Sequence, residues 1–137
     1  MPWASPCLLV PKPDGTVQLC TDYRKVNAIT KPNDFPLPRT DDLIDAGAGA
    51  TFVTRLDLLR GYYQVPLTPW AKEISGFVKN GLFTNKVMPF GLCNAASMFQ
   101  RIMNILVQPL EGVEAYLDDL VVFSDDWKSH VERLEEL

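Results

Sequence analysis

Within the first twenty residues an apolar run, Cys7-Leu8-Leu9-Val10, gives way to Pro11-Lys12-Pro13-Asp14-Gly15 and then to Thr16-Val17-Gln18-Leu19-Cys20. Asp-Gly between two strand-like runs predicts a hairpin, because that pair accepts the dihedrals of a tight turn. Pro11 and Pro13 confine the strand to a sheet edge, since neither can donate a ladder hydrogen bond. Pro32, Pro36 and Pro38 mark an extended connection. Thr40 followed by Asp41 and Asp42 predicts a helix start, with a hydroxyl cap and then acids at the positive dipole end. That helix should stop by Gly47 or Gly49. Residues 51–57 are rich in β-branched and apolar side chains and predict a strand with Asp57 at its far end.

Thr68-Pro69 fits the cap and first position of a short helix over residues 70–73. Asn80-Gly81 predicts a second hairpin, joining residues 74–78 to 82–87. The clearest helical period follows Asn94, a good cap. Ala95, Met98, Phe99, Ile102, Met103 and Leu106 share one apolar face, and Ser97, Gln100, Arg101 and Asn104 fall opposite, where they could meet a polar ligand. Pro109 ends it. Two short strands, 113–117 and 120–123, flank Asp118-Asp119, and residues 126–137 read as a charged helix start with Val131, Leu134 and Leu137 apolar. No repeat, low-complexity tract or linker interrupts the pattern, so one continuous domain is expected.

Composition narrows the chemistry. The 137 residues, 47% of them hydrophobic, suffice for one core. No apolar run is long enough to span a bilayer, and Met1-Pro2-Trp3-Ala4-Ser5-Pro6 lacks the basic start and apolar stretch of a secretory signal. An intracellular, soluble chain with no membrane partner is expected. Cys7, Cys20 and Cys93 are widely spaced and read as buried or half-buried thiols. With one histidine, His130, zinc ligands and histidine-dependent hydrolase arrangements are scarce. The net charge of −4 is unevenly spread: residues 1–39 carry +2, residues 40–110 carry +1, and residues 111–137 carry −7. The acidic excess includes Asp118-Asp119, which a divalent cation would offset. The rest of the chain permits phosphate contacts.

Adjacent aspartates between two strands are often no more than a solvated turn. This pair lacks the Asn or Gly that usually accompanies such a turn, and adjacent carboxylates repel unless a cation lies between them. Asp57, at the end of a separate strand, could complete a site of hard oxygen ligands suited to magnesium. Taken alone, Asp57 is equally readable as a cap or strand-end acid. Two such ions a few ångströms apart would serve phosphoryl transfer.

These residues resemble a known family. Tyr116-Leu117-Asp118-Asp119 is similar to the YxDD hairpin of reverse transcriptases, and Leu56-Asp57-Leu58-Leu59-Arg60-Gly61-Tyr62-Tyr63-Gln64 resembles their first catalytic strand. Val87-Met88-Pro89-Phe90-Gly91-Leu92-Cys93-Asn94-Ala95-Ala96, then Phe99-Gln100-Arg101, resembles the intervening loop and helix. Trp3-Ala4-Ser5-Pro6, Asp22-Tyr23-Arg24-Lys25-Val26-Asn27-Ala28 and Phe35-Pro36-Leu37-Pro38-Arg39 match as well, in the family's order. The likeness covers nearly the whole chain and is nearest to Ty3/gypsy-type LTR retrotransposon polyproteins.

The resemblance implies an α+β fold: a right-hand polymerase palm, an antiparallel sheet backed by helices, interleaved with a fingers subdomain over residues 1–137. The thumb, connection and RNase H portions are expected to be missing. It implies an RNA-directed DNA polymerase acting by two-metal nucleotidyl transfer, in the DNA-integration setting of a retrotransposon. Asp57, Asp118 and Asp119 would be the catalytic and metal-binding carboxylates, Asp57 and Asp118 holding two Mg2+ ions with Asp119 close by and Mn2+ as a substitute. Lys12, Gln18, Tyr62, Phe90 and Gly91 would bind the nucleotide: Lys12 at the triphosphate, Tyr62 as the gate against the ribose 2′-hydroxyl, and Phe90 and Gly91 beneath the sugar and templating base. Outside that context Lys12 reads as a solvated hairpin lysine, and Tyr62 and Phe90 as packing aromatics.

Gln18 stands where the family has an arginine, a loss on the order of 1.5–3 kcal/mol in nucleotide affinity if nothing replaces it. Ala96 and Asn85 also depart from the pattern, replacing a proline and an aromatic. The implied partners are an RNA or DNA template with primer, dNTPs and the remaining polyprotein domains, and the implied location is the cytoplasm or a retrotransposon particle. The competing expectation is an inactive retroelement remnant that folds or binds nucleic acid without polymerising. The isolated segment is expected to extend a primer weakly or not at all.

Overall fold

A computed structural model describes residues 3–137. Met1 and Pro2, which begin the segment read above for a leader, lie outside the described residues. The chain forms two compact units that alternate along the sequence: residues 1–32 with 62–95, and residues 33–61 with 96–137.

The first unit is built on a four-stranded sheet in the order β2-β1-β4-β5. Strands β1 (Ser5–Pro11) and β2 (Val17–Thr21) form the hairpin expected from Asp14-Gly15, with Leu9 opposite Leu19. Beyond the strands, the Lys12 N–H donates to the Thr16 carbonyl at 2.7 Å. At Pro11 the sheet has β2 alone as neighbour. Strand β4 (Phe77–Val78) pairs in parallel with β1 only at Ser5 and Pro6. The expectation that Pro11 and Pro13 keep this strand at a sheet edge does not hold, because β1 lies between β2 and β4; the prolines are tolerated because the β4 ladder ends at Pro6, before it would need their donors.

Helix α1 (Arg24–Ile29) was not expected from the periodicity. Its start is written in a side chain: Asp22 accepts the Arg24 N–H at 3.1 Å and grips the Arg24 guanidinium at 2.7–3.1 Å. The Arg24 contacts pull the Asp22 carboxyl down to about 2. Beneath it, Tyr23 and Val26 are buried, and the Tyr23 hydroxyl donates to the Ser75 carbonyl and accepts from Asn85.

Thr68 caps α3 (Pro69–Ile74) by accepting the Ala71 N–H at 3.2 Å, as expected. The Asn80-Gly81 hairpin forms, but its strands are short. Strand β4 pairs with β5 (Leu82–Phe83) over two residues each. Residue 74 belongs to α3, and residues 84–87 leave the ladder apart from a single bridge between Pro66 and Val87.

The second unit is a three-stranded antiparallel sheet in the order β3-β7-β6, backed by helices. Strand β3 (Phe52–Asp57) pairs along its whole length with β7 (Asp119–Ser124), from Phe52 opposite Ser124 to Asp57 opposite Asp119. Strand β6 (Val113–Tyr116) pairs with the other edge of β7. Side chains alternate across a sheet, and β7 shows it: Leu120, Val122 and Ser124 are buried while Asp119, Val121 and Phe123 are half-exposed.

Helix α2 (Thr40–Ala46) begins one residue earlier than the Thr40 cap assignment requires. Arg39 takes the cap position, its N–H donating to Asp42, and Gly47 ends the helix as expected. Helix α4 (Ala95–Val107) buries Ala95, Phe99, Met103 and Val107 at four-residue spacing, with Gln100 beside them. Met98 and Leu106, expected inward, are exposed, so the inward face is rotated from the apolar stripe.

Helix α5 (Trp127–Glu135) is capped by Asp126, whose carboxylate accepts the Ser129 N–H at 3.0 Å. Its His130 is a core residue, with Nε2 2.7 Å from Thr54 Oγ1, Nδ1 3.1 Å from Ser124 Oγ, and its ring near Phe52 and Trp127. Of the three thiols, Cys7 and Cys20 are half-buried, whereas Cys93 is exposed, against expectation, in the turn before α4.

Candidate active site

The strands of the second unit bring the three acids together. Asp57 is the last residue of β3 and Asp119 the first of β7, and they are direct cross-strand partners. Partners in such a pair stand about 5 Å apart at Cβ on one face of the sheet. Asp118 lies in the two-residue turn between β6 and β7, and its carbonyl accepts the Leu58 N–H at 2.8 Å. The backbone that follows Asp57 is therefore tied to the turn that carries Asp118.

Asp118 is under electrostatic pressure. Burial pushes its carboxyl above the ordinary carboxylate range, and the charges of Asp57 and then Asp119 push it further. Its Oδ1 is buried and has no hydrogen-bond partner. A buried charged oxygen left unpaired is costly, and a cation is the partner that would relieve both strains.

The space beside that oxygen depends on Gly61. A Cβ there would lie 3.0 Å from Asp118 Oδ1 and 2.6 Å from the Phe99 ring. Leu117, just before Asp118, and Arg60, just before Gly61, also take left-handed backbone, at φ 51° and φ 55°. For side-chain-bearing residues this costs roughly 1–2 kcal/mol each, and such strain gathers at functional positions.

Asp119 differs from its neighbours. Arg55, two residues before Asp57 on β3, donates from Nε to Asp119 Oδ1 at 2.9 Å, and its Nη2 lies 2.9 Å from Oδ2. Asp119, and more weakly Asp57, hold the Arg55 guanidinium above its ordinary value. Sequence reasoning passed over Arg55; its position two residues from Asp57, on the same strand face, was the available signal.

Gln100 was also misread, as a face residue open to a polar ligand. It is fully buried. Its Nε2 donates to the Ala115 carbonyl at 2.8 Å and to Asn104 Oδ1 at 2.7 Å, and its Oε1 accepts the Leu117 N–H at 2.6 Å. It holds the acid-bearing turn from behind.

Asp57 and Asp118 fit a divalent cation by chemistry: two hard carboxylates, one with an orphaned buried oxygen, neither in an ion pair among the described residues. Among the described residues no three ligating side chains gather into a ready set. Magnesium is typically held by one or two carboxylates, with substrate phosphates supplying further ligands, so the pair suffices.

The remaining candidates belong to the first unit. Gln18, Phe90 and Gly91 line one cleft of about 300 Å³, together with Thr21, Tyr63 and Asn85. Gly91 takes φ +94°, which favours glycine, and a Cβ there would already touch Tyr23 at 3.4 Å. Tyr62, in a 3-10 turn over Gly61–Gln64, packs edge-on against the exposed Phe90 with ring centroids 4.9 Å apart. Tyr63, rather than Tyr62, borders the cleft. Lys12 is exposed at the end of the first hairpin, outside that lining. Because Val10 pairs with Gln18 and Lys12 continues the ladder to Thr16, Lys12 and Gln18 share one face of the hairpin.

No helix among the described residues is long and apolar enough to cross a membrane. The family profile described as reverse transcriptase (RNA-dependent DNA polymerase) matches residues 10–137. An RNA-directed DNA polymerase homolog of Oenothera berteroana is 41% identical over 125 residues, covering 87% of this chain and 88% of that protein. The retrovirus-related Pol polyprotein from transposon 297 of Drosophila melanogaster is 34% identical over 98% of this chain, which spans only 13% of it. The transposon Tf2-3 polyprotein of Schizosaccharomyces pombe is 33% identical, with 10% of its length covered.

Among solved structures, the prototype foamy virus protease-reverse transcriptase superposes with a TM-score of 0.80 at 31% identity, over 97% of this chain and 18% of that one. The foamy viral protease-reverse transcriptase in complex with RNA/DNA hybrid reaches 0.86 at 23% identity, a likeness of fold. Fold, motif order and sequence agree, and the chain belongs to the reverse transcriptase (RNA-dependent DNA polymerase) family, alongside the Pol polyproteins of retrotransposons.

Proposed function

We propose that this chain is the fingers-and-palm part of an RNA-directed DNA polymerase of a Ty3/gypsy-type retrotransposon, adding dNTPs to a primer 3′-hydroxyl. The second unit is the palm and the first the fingers. The observation that carries the reading is the cross-strand pairing of Asp57 with Asp119 beside the orphaned oxygen of Asp118.

Asp57 and Asp118 would hold the divalent cations, which when bound supply charge neutralisation and activation of the attacking oxygen for phosphoryl transfer. Everything else is positioning. The Leu58–Asp118 backbone bond and the Gln100 grip fix the two carboxylates relative to each other. In the fingers, Lys12 is a point charge for the triphosphate, and Gln18 offers an amide where the family offers a guanidinium. Tyr62, braced by Phe90, restricts the space at the sugar 2′ position, and Gly91 lets backbone approach the base closely. An RNA template, a primer and the other polyprotein domains complete the expected partners.

The test is single-nucleotide addition to a labelled DNA primer on an RNA template, with Mg2+ and saturating primer–template. Slow, Mg2+-dependent addition that disappears in Asp118→Ala supports the reading. Equal addition in Asp118→Ala contradicts it, as does the absence of addition at any Mg2+ concentration both from this chain and from a longer chain continued into the thumb; the second result is what an inactive remnant would give.

A further inference from the structure

Arg55 meets Asp119 at two points, Nε to Oδ1 and Nη2 to Oδ2, both at 2.9 Å. A guanidinium fork on a carboxylate fixes direction as well as charge. The register explains the reach. Asp57 stands opposite Asp119 and Arg55 opposite Val121, so the arginine crosses diagonally to the acid that neighbours Asp57 on the same face.

Two consequences follow from that pair. Each oxygen of Asp119 already meets the Arg55 guanidinium, which leaves Asp57 and Asp118 as the acids of the cluster without a cationic partner among the described residues. The cluster's net charge is also reduced from that of three carboxylates to that of two. The pair has little to do for stability, because Arg55 is 70% exposed and surface ion pairs contribute little.

On the polymerase reading above, we propose that Arg55 is a positioning residue: it withdraws Asp119 from the metal-ligand set. Asp57 and Asp118 then form a two-carboxylate seat that holds a divalent cation weakly until the phosphates of a nucleotide complete its coordination. A seat of three free carboxylates would load with metal on its own; a seat of two waits for the substrate.

The test is a titration of the full chain with Mn2+ alone, without nucleotide, followed by the electron paramagnetic resonance signal of the free ion. Four proteins are compared: the native chain, Arg55→Met, Asp119→Asn and the double variant, with thermal unfolding of each as a control. Arg55→Met should tighten Mn2+ binding about tenfold by exposing one more nearby carboxylate. The double variant should return to within about threefold of the native chain, because the coupling between the two residues is then gone.

Unchanged or weaker binding in Arg55→Met, or a gain that persists in the double variant, overturns the role of Arg55. Asp57→Asn and Asp118→Asn separate this from the reading beneath it. If they abolish binding while the Arg55 cycle fails, only the role of Arg55 falls; if binding survives both, the metal seat falls and this role with it.

Discussion

Gln100 accepts the Leu117 amide hydrogen at 2.6 Å from a position that solvent does not reach, and its other end donates to the Ala115 carbonyl at 2.8 Å. One side chain thus serves an acceptor in β6 and a donor in the turn that follows it, just before Asp118. Only a carboxamide matches both. The grip falls on the residue that adopts φ 51°, so the strained turn is held where it would otherwise relax.

Gln100→Leu should therefore leave two buried backbone groups unpaired, each costing about 1–3 kcal/mol. The expected loss, roughly 3 kcal/mol in urea denaturation, is large for one substitution. A change below about 0.5 kcal/mol, the range of surface substitutions, would show that the turn does not depend on this side chain.

Gly61→Ala is expected to cost about 1–3 kcal/mol by overpacking, since the added methyl meets Phe99 at 2.6 Å and Asp118 Oδ1 at 3.0 Å. Because it displaces Asp118, divalent-cation binding should fall along with stability. Unfolding and Mn2+ titration of the same preparation check both. Native stability with native metal binding would contradict the close approach.

Asp118 makes stability depend on pH in a defined direction. Its folded carboxyl sits above the ordinary range because of burial, Asp57 and Asp119, in that order. A raised folded value means that its contribution is full below the unfolded value and is lost as pH rises through the folded one. Asp118→Asn should then be more stable than the native chain at neutral pH in chelator, with the gap closing on acidification through the carboxylate range. Thermal unfolding across that range tests it; a gap that widens in acid would contradict the direction.

Much of the fold was legible because local chemistry decided it. Asp14-Gly15 and Asn80-Gly81 gave both hairpins, and Thr68-Pro69 a helix start. The run ending at Asp57 gave the strand that carries the first acid. The misses share a cause: tertiary contacts outweighed the local pattern. Helix α1 rests on Tyr23 and Val26 buried beneath it, with Tyr23 tied to Ser75 and Asn85, which leaves no periodic signature over six residues.

The inward face of α4 turned because Gln100, polar by composition, found two backbone partners on β6 and its turn. The acids were legible as residues and, through strand ends, as neighbours. That Asp119 is held by Arg55 was not legible, since a diagonal contact depends on a register that only pairing fixes.

Tyr62→Ala should admit ribonucleotides more readily in single-nucleotide addition. The expected change is a loss of dNTP-over-rNTP preference by at least about tenfold, or about 1.4 kcal/mol of discrimination. Unchanged preference would move the gate elsewhere, and Tyr63, which borders the cleft, would be the next residue to vary.

If Asp57 and Asp118 share a divalent cation, the natural competitor is the acidic stretch beyond them, with a net charge of −3 over residues 120–137. The most direct measurement adds trace Mn2+ to isotopically labelled protein and follows paramagnetic broadening of the amide resonances. The amides of Asp57, Leu58 and Asp118 should broaden first, while those of Glu132, Glu135 and Glu136 stay sharp. Broadening that begins in the C-terminal helix and spares Asp57 and Asp118 would contradict the account.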